Sequence, residues 1–325
     1  MAAFSDPAPS ETDLSVSRRI GRWFHRRGYL QGIIAIPYIW LVLWFLIPFI
    51  IIFAMSVATR TPTAPPFGFG GENPILNWEN YRRLFTDDLY IRAYLTSLFN
   101  ATMATFFCLI IGYPIALGIA RASSSWRSIL LMLVILPFWT SFLLRVYAWI
   151  GLIGTNAWFN KMITGAWNGL VPEAWEVAYV PLMNTNAAVI LVTLYSYLPF
   201  MILPLYANLE RLDLALDEAA MDLGSKPTRV FWDITVPQSV PGIIAGGMLV
   251  FIPACGEFII PSLVGSASQP MIGRVISDEF GFARDWPMAS TVAVALLVLL
   301  VVPLMVYTWA EQRAEERAFK REQEE

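Results

Sequence analysis

Charge is scarce in this chain. Of 325 residues only 14% are Asp, Glu, Lys or Arg, while 57% are hydrophobic. A soluble domain carries about 25% charged residues, so a soluble globular class does not fit. Histidine is limited to His25, which leaves almost nothing from which to build a histidine metal centre or a His-dependent hydrolase. Lysine occurs three times, at Lys161, Lys226 and Lys320, and the net charge is -3. That balance speaks against a nucleic-acid partner. The two cysteines, Cys108 and Cys255, both sit in apolar segments and read as buried free thiols. No G-x-x-x-x-G-K-[ST] phosphate loop occurs anywhere in the sequence, so the chain has no ATP site of that kind.

Long apolar runs are what it has instead. A bilayer crossing takes about 20 apolar residues, and six segments meet that length: Ile33–Ala58, Leu95–Ala120, Ile129–Ile153, Ala187–Asn208, Val240–Val264 and Ala289–Ala310. The first is too long for a cleaved signal core of about 7–15 residues and reads as a retained anchor. The expected fold class is therefore an all-α polytopic membrane protein with six transmembrane helices. Its parts are a tail over 1–31, a transmembrane domain over 32–310 and a second tail over 311–325, where charge alternates at helical spacing.

Arginine and lysine orient the spans. Fourteen lie in the two tails, the short turn with Arg121 and Arg127, and the 209–238 loop; seven lie in the opposite loops. Both termini and the 209–238 loop are thus expected on the cytoplasmic side. The opposite loops carry Trp78, Tyr81 and Tyr90, then Trp158, Trp167 and Trp175, and are expected to lie at the outer membrane surface as short amphipathic helices.

The 209–238 loop is polar within an oily chain. Leu212, Leu214, Leu216 and Leu223 alternate with Asp213, Asp217, Glu218 and Asp222, which predicts a helix. Gly224 stops it as a left-handed cap. Ser225 is expected to cap a second short helix with Pro227 in its first turn, and Pro237 to end that helix before a new span starts at Pro241. Ala219 and Ala220 let another backbone come close.

Glu218-Ala219-Ala220, three residues, Gly224, nine residues, Ile234, one residue and Val236-Pro237 resembles the signature of inner-membrane permease subunits of binding-protein-dependent ABC importers. The one departure is Val236 where leucine is usual. Residues from about Leu30 to Trp309 are similar to the polyamine (putrescine/spermidine) branch, PotH-like. The segments that carry this are Leu136-Pro137-Phe138-Trp139-Thr140, Leu144 to Trp149, Pro253 to Phe258, Met271-Ile272-Gly273-Arg274 and Arg284-Asp285-Trp286-Pro287. The resemblance implies the type I permease fold with cytoplasmic coupling helices, in a bacterial inner membrane. It also implies a second, non-identical permease, a periplasmic substrate-binding protein and an ATPase dimer. ATP and Mg would be used by that ATPase, with no cofactor or metal on this chain. Glu218, Ala219, Ala220, Gly224, Ile234 and Pro237 would seat in a groove of the ATPase.

Two ionisable side chains, Arg145 and Glu257, fall well inside spans, where a charge costs roughly 2.5–3.5 kcal/mol and marks function by default. Counted along straight helices at about 1.5 Å per residue, both lie at one level in the outer half, with Tyr195 beside them. Either they pair as an internal salt bridge, or Glu257 faces the pathway and meets a cationic solute flanked by Trp139, Tyr147, Trp149, Tyr195 or Tyr197. Other readings are a permease for another small solute, such as an amino-acid derivative, an anion or iron, and an ion-coupled secondary transporter. The latter calls for inverted repeats and several in-span carboxylates, which the sequence does not display. In-span glycines and prolines such as Gly112, Pro114, Pro199, Pro204 and Pro253 suit helix kinks or flexing points alike.

Overall fold

The computed structural model describes residues 16–70, 76–172, 175, 177–302 and 304–305, with side chains described from Ile34. The expectations for residues 1–15 and for the 311–325 tail lie outside these residues. Two compact units divide the chain, one ending at Met55 and the other beginning at Ser56. Helix α1, Val16–Ser56, makes up the described part of the first. It begins well before the apolar run, so residues 16–31 of the expected tail are helical.

The second unit opens with a hairpin of β1, Thr59–Arg60, and β2, Phe67–Gly68. Helices then follow: α2 Glu79–Thr86, α3 Asp88–Ala120, α4 Ser124–Ile135, a 3-10 turn Leu136–Trp139, and α5 Phe142–Ile153. After α6, Trp158–Leu170, come α7 Asn186–Leu209, α8 Leu214–Asp222, α9 Pro227–Val230, α10 Val236–Cys255, α11 Ile259–Val264, α12 Ile272–Gly281 and α13 Trp286–Val302.

Among the described residues, four helical stretches are long and apolar enough to cross a membrane: Ile34–Ser56, Asp88–Ala120, Asn186–Leu209 and Pro227–Cys255. The expected third span is not straight. Its two legs, Ser124–Trp139 and Phe142–Ile153, bend by 89°. Leu136–Trp139 tightens into a 3-10 turn with Pro137 in it, and Thr140 is extended. Counted as one, the bent pair is a fifth crossing. The sixth expected segment corresponds to α13, which starts at Trp286 and is described to Val302; its expected end at Ala310 lies outside the described residues. The fifth expected span also differs, because its helix stops at Cys255 instead of reaching Val264.

Helices α3, α7 and α10 pack on one another around Cys108, Tyr113, Ala116, Met201, Leu205 and Val250. Lipid tails are as apolar as these side chains, so association rests on close packing and interhelical hydrogen bonds. Both are present. Gly246 lies so near α7 that a Cβ there would sit 2.9 Å from Met201 Sδ and 3.0 Å from its carbonyl oxygen. Tyr113 and Ser239 share a buried hydrogen bond of 2.9 Å. Cys108 and Cys255 are buried free thiols.

Helices α2, α3, α12 and α13 enclose Leu84, Tyr90, Ile272, Met288 and Val292. Asp285 organises this corner. Its Oδ1 accepts from Met288 N–H at 3.1 Å, capping the start of α13, and its Oδ2 faces Arg60 and Arg83 at 3.7 and 3.6 Å. Trp78, Trp158, Trp167 and Trp175 are exposed on or beside the short helices α2 and α6. Tyr90 is the exception among the expected surface aromatics. It is fully buried and donates its hydroxyl to Glu279 at 2.7 Å.

Candidate functional sites

Glu257 sits where α10 breaks before α11, not within a helix as a straight count of the span predicts. The break leaves the first N–H groups of α11 without helical acceptors. Glu257 Oε1 takes those of Phe258, Ile259 and Ile260 at 3.1, 2.9 and 3.4 Å. The next residue is Pro261, which has no N–H, so one carboxylate oxygen accounts for every orphan donor of this turn. Its other oxygen, Oε2, accepts from the Tyr197 hydroxyl at 2.6 Å, within the short range of charge-assisted bonds. These four donors make a nearly buried carboxylate affordable in an apolar setting.

The break is held from behind by the Met271-to-Arg274 segment. A Cβ on Gly273 would collide with the Gly256 carbonyl oxygen and stand 2.6 Å from that of Glu257. Ile272 N–H donates to the buried Ser97 Oγ at 2.7 Å, tying α12 to α3. Arg274 reaches the Pro261 carbonyl at 3.4 Å. Gly273→Ala is therefore expected to push the backbone under Glu257 and to destabilise the chain by about 1–3 kcal/mol, with reduced transport. Melting temperature and uptake unchanged from the parent would show that this close approach is absent.

Glu257 opens onto a cavity of about 410 Å³ lined by Phe138, Phe142, Arg145, Ser196, Tyr197, Phe200 and the Pro253–Ile259 break. That volume lies within the range of small-molecule sites, about 300–1,000 Å³. Arg145 is only 8% exposed. Its guanidinium carbon stands 5.3 Å from the Phe138 ring centroid and 5.6 Å from that of Phe142. Among the described residues, Nε and Nη1 have no hydrogen-bond acceptor, nor does the Ser196 hydroxyl have a partner. Of the two alternatives for Arg145 and Glu257, the salt bridge is not formed. Both charges line one cavity, but Glu257 accepts from the α11 turn and Tyr197, and Arg145 lies on aromatic faces. A straight-helix depth does not place Arg145, because the chain turns by 89° just before it.

Of the aromatic candidates, Tyr197 alone joins the cavity. Trp139 and Tyr147 are exposed, at 77% and 57%, and Trp149 stacks edge-on with Tyr195 at 5.6 Å. Tyr195 lines a separate apolar pocket with Pro114, Leu198 and Pro199. Sequence reasoning missed Phe138, Phe142, Phe200 and Ser196 as lining residues. One signal was present: Phe142 lies three residues before Arg145, on the same helical face.

The 209–238 loop forms two helices about a glycine turn. Asp213 caps α8 by accepting from Ala215 N–H at 3.0 Å. Gly224 has φ +88°, the left-handed region that glycine enters without strain, and Ser225 N–H returns to the Ala220 carbonyl at 3.0 Å. Lys226, rather than Ser225, is the cap residue of α9, with no side-chain bond. Nor does Pro237 end the second helix. Residues 231–235 form a π-turn, and the helix continues through Pro237 to Cys255. The wider turn carries Val236 N–H to the Phe231 carbonyl and relieves the clash that Pro237 would cause in a regular helix.

Arg121 at the end of α3 fixes this loop. It pairs with Asp217 at 2.7 Å, and Asp217 is 15% exposed. Thr235 donates to the same carboxylate at 3.4 Å, and Arg127 pairs with Glu210. Sequence reasoning had used Arg121 and Arg127 only as orienting charges. Glu218, Ala219, Gly224 and Pro237 are exposed, and Ala220 and Ile234 are half-buried. Around them stand exposed Leu216, Trp232 and Leu223, the last at 89%. Apolar side chains projecting from a polar loop form a surface suited to cover by another protein.

Comparison with known proteins agrees with this picture. The family model described as "Binding-protein-dependent transport system inner membrane component" matches residues 16–316. The spermidine/putrescine transport system permease protein PotB of Haemophilus influenzae is 39% identical over 278 residues, 84% of this chain and 91% of that protein. PotB of Escherichia coli is 36% identical over 274 residues, 84% and 94%. These relatives bear the spermidine/putrescine PotB name where the sequence suggested PotH-like, a shift within the polyamine permeases. In structure, a bacterial ABC transporter involved in import of the acidic polysaccharide alginate superposes with TM-score 0.65 at 17% identity, over 91% of this chain and 99% of that one. Four membrane-length apolar helices and a bent fifth pair among the described residues, a carboxylate at a helix break and an exposed helix–glycine–helix loop thus coincide with a match over nearly the whole length, and the chain belongs to the binding-protein-dependent transport system inner membrane components.

Proposed function

We propose that this chain is one permease subunit of an ATP-driven importer and lines the path of a polyamine such as putrescine or spermidine. The cavity that joins the Glu257–Tyr197 pair to the rings of Phe138, Phe142 and Phe200 carries the reading. An ionised carboxylate pairs with an ammonium, and aromatic faces attract a cation through their quadrupole. A second, non-identical permease completes the path, and a periplasmic binding protein delivers the solute. The 209–238 loop receives an ATPase dimer, which supplies the ATP and Mg chemistry. Both termini face the cytoplasm.

One observation favours a second reading. Arg145 lines the cavity, and its buried Nε and Nη1 have no acceptor among the described residues, which an anionic or zwitterionic solute would supply. Uptake by the assembled transporter in proteoliposomes decides between them. Saturable, ATP-dependent entry of labelled putrescine or spermidine is expected, uncompeted by carboxylates or sulfate. Competition by anions alone would replace the polyamine reading with the anionic one.

A further inference from the structure

We propose that Arg145 is a tethered occupant of the cation position in this cavity, and that it sets which solutes enter by having to be displaced. The inference rests on the cavity's being a cation path and goes beyond it by assigning the empty-state occupant. Three observations converge. The guanidinium lies over the Phe138 and Phe142 rings, so these faces already hold a cation of this chain's own. The carboxylate across the cavity is also engaged internally, by three backbone N–H groups and the Tyr197 hydroxyl. Finally, Arg145 Nε and Nη1 have no acceptor among the described residues, so leaving the rings breaks no hydrogen bond of either nitrogen to them.

A solute with one ammonium has little advantage over Arg145. It replaces a guanidinium on the rings and must still compete with Tyr197 for Glu257 Oε2. A solute with two ammonium groups a few methylenes apart takes the rings with one end and Oε2 with the other, while its alkyl segment lies against Phe200 and Pro253. Arg145 thereby discriminates against monoamines and inorganic cations. It is a specificity residue acting through the two rings.

The test uses the whole transporter, with its ATPase, partner permease and binding protein, in proteoliposomes. In Arg145→Gln the concentration of putrescine that half-saturates uptake should fall roughly 3- to 10-fold, and monoamines should begin to compete. Arg145→Lys, which keeps a cation for the rings, should stay near the parent. Millimolar methylguanidinium should restore the parent value in Arg145→Gln. Combining Arg145→Gln with Phe138→Leu and Phe142→Leu should erase the gain, because the contested faces are gone. Half-saturation unchanged or raised in Arg145→Gln, or a gain that persists without the rings, overturns the proposal. Arg145→Met replaces the Gln variant if the latter is not inserted; loss of both variants from the membrane marks Arg145 as a packing strut and also overturns it. Methylguanidinium should raise the melting temperature of Arg145→Gln and not of the parent, a readout that needs no cargo. If the parent transporter carries no polyamine, the cargo reading alone fails.

Discussion

Glu257→Gln is expected to insert and fold normally yet to import polyamine roughly 10- to 150-fold more slowly, the cost of losing a hydrogen bond to a charged group. The amide oxygen of Gln can still accept the N–H groups of Phe258, Ile259 and Ile260. Its NH2 can face the Tyr197 oxygen in place of the present bond. What disappears is the negative charge. Glu257→Ala should behave differently, because it orphans three backbone donors and a tyrosine hydroxyl together. At about 1 kcal/mol or more for each, it should lower the melting temperature in detergent as well as transport. The pair of variants separates the two roles that one side chain holds. Uptake by Glu257→Gln indistinguishable from that of the parent would remove the carboxylate from the path. A melting temperature in Glu257→Ala equal to the parent's would remove it from the helix cap.

Glu218→Lys is expected to uncouple transport from ATP hydrolysis without touching the fold. Glu218 is exposed on α8 and makes no hydrogen bond or ion pair among the described residues. Its neighbour Asp217 is bound to Arg121 and Thr235. A charge without a partner among the described residues, beside exposed Leu216 and Leu223, suits the ATPase contact proposed for this loop. Reversing it sets like charges together in the docked interface, which costs several kcal/mol. Uptake and stimulated ATP hydrolysis in proteoliposomes should fall by two or more decades, on the order of 100-fold, at unchanged melting temperature. Stimulation equal to the parent's would deny the loop this role. Arg121→Ala probes the other side of the same element. It frees α8 from α3 and should lower melting temperature slightly, since a half-exposed pair contributes at most about 1 kcal/mol.

How far the sequence reaches depends on the range of the interaction that sets each feature. Gly224's left-handed turn and the helix before it are local, and their spacing is legible because only backbone geometry and a few neighbours decide them. The α7 span was placed to within a residue at either end, since an uninterrupted apolar run is bounded by Thr185 and Glu210. The breaks were not legible. Thr140–Ser141 and Gly256–Phe258 lie inside runs apolar enough to read as continuous, and what opens them is remote. For the second, it is the backbone of Gly273 against residues 256–257 and Tyr197 on the carboxylate. The cavity's membership followed the same rule. Glu257 and Arg145 stand out as charges in oil, but Phe138, Phe142 and Ser196 become neighbours only through the 89° bend. Pro237 misled for a related reason. Proline ends a regular helix, and a π-turn one step earlier lets it pass.

That uninterrupted helix from Pro227 to Cys255 has a mechanical consequence. It is a lever arm of about 43 Å at 1.5 Å per residue, with one end in the loop proposed to receive the ATPase and the other two residues short of Glu257. A tilt of about 5° at its foot, too small to disturb local packing, sweeps its tip through roughly 4 Å at that length. Displacement on that scale exceeds the 2.6 Å hydrogen bond between Tyr197 and the carboxylate. Modest work delivered at the loop is therefore magnified, by length alone, into a stroke long enough to part the residues that would grip a solute.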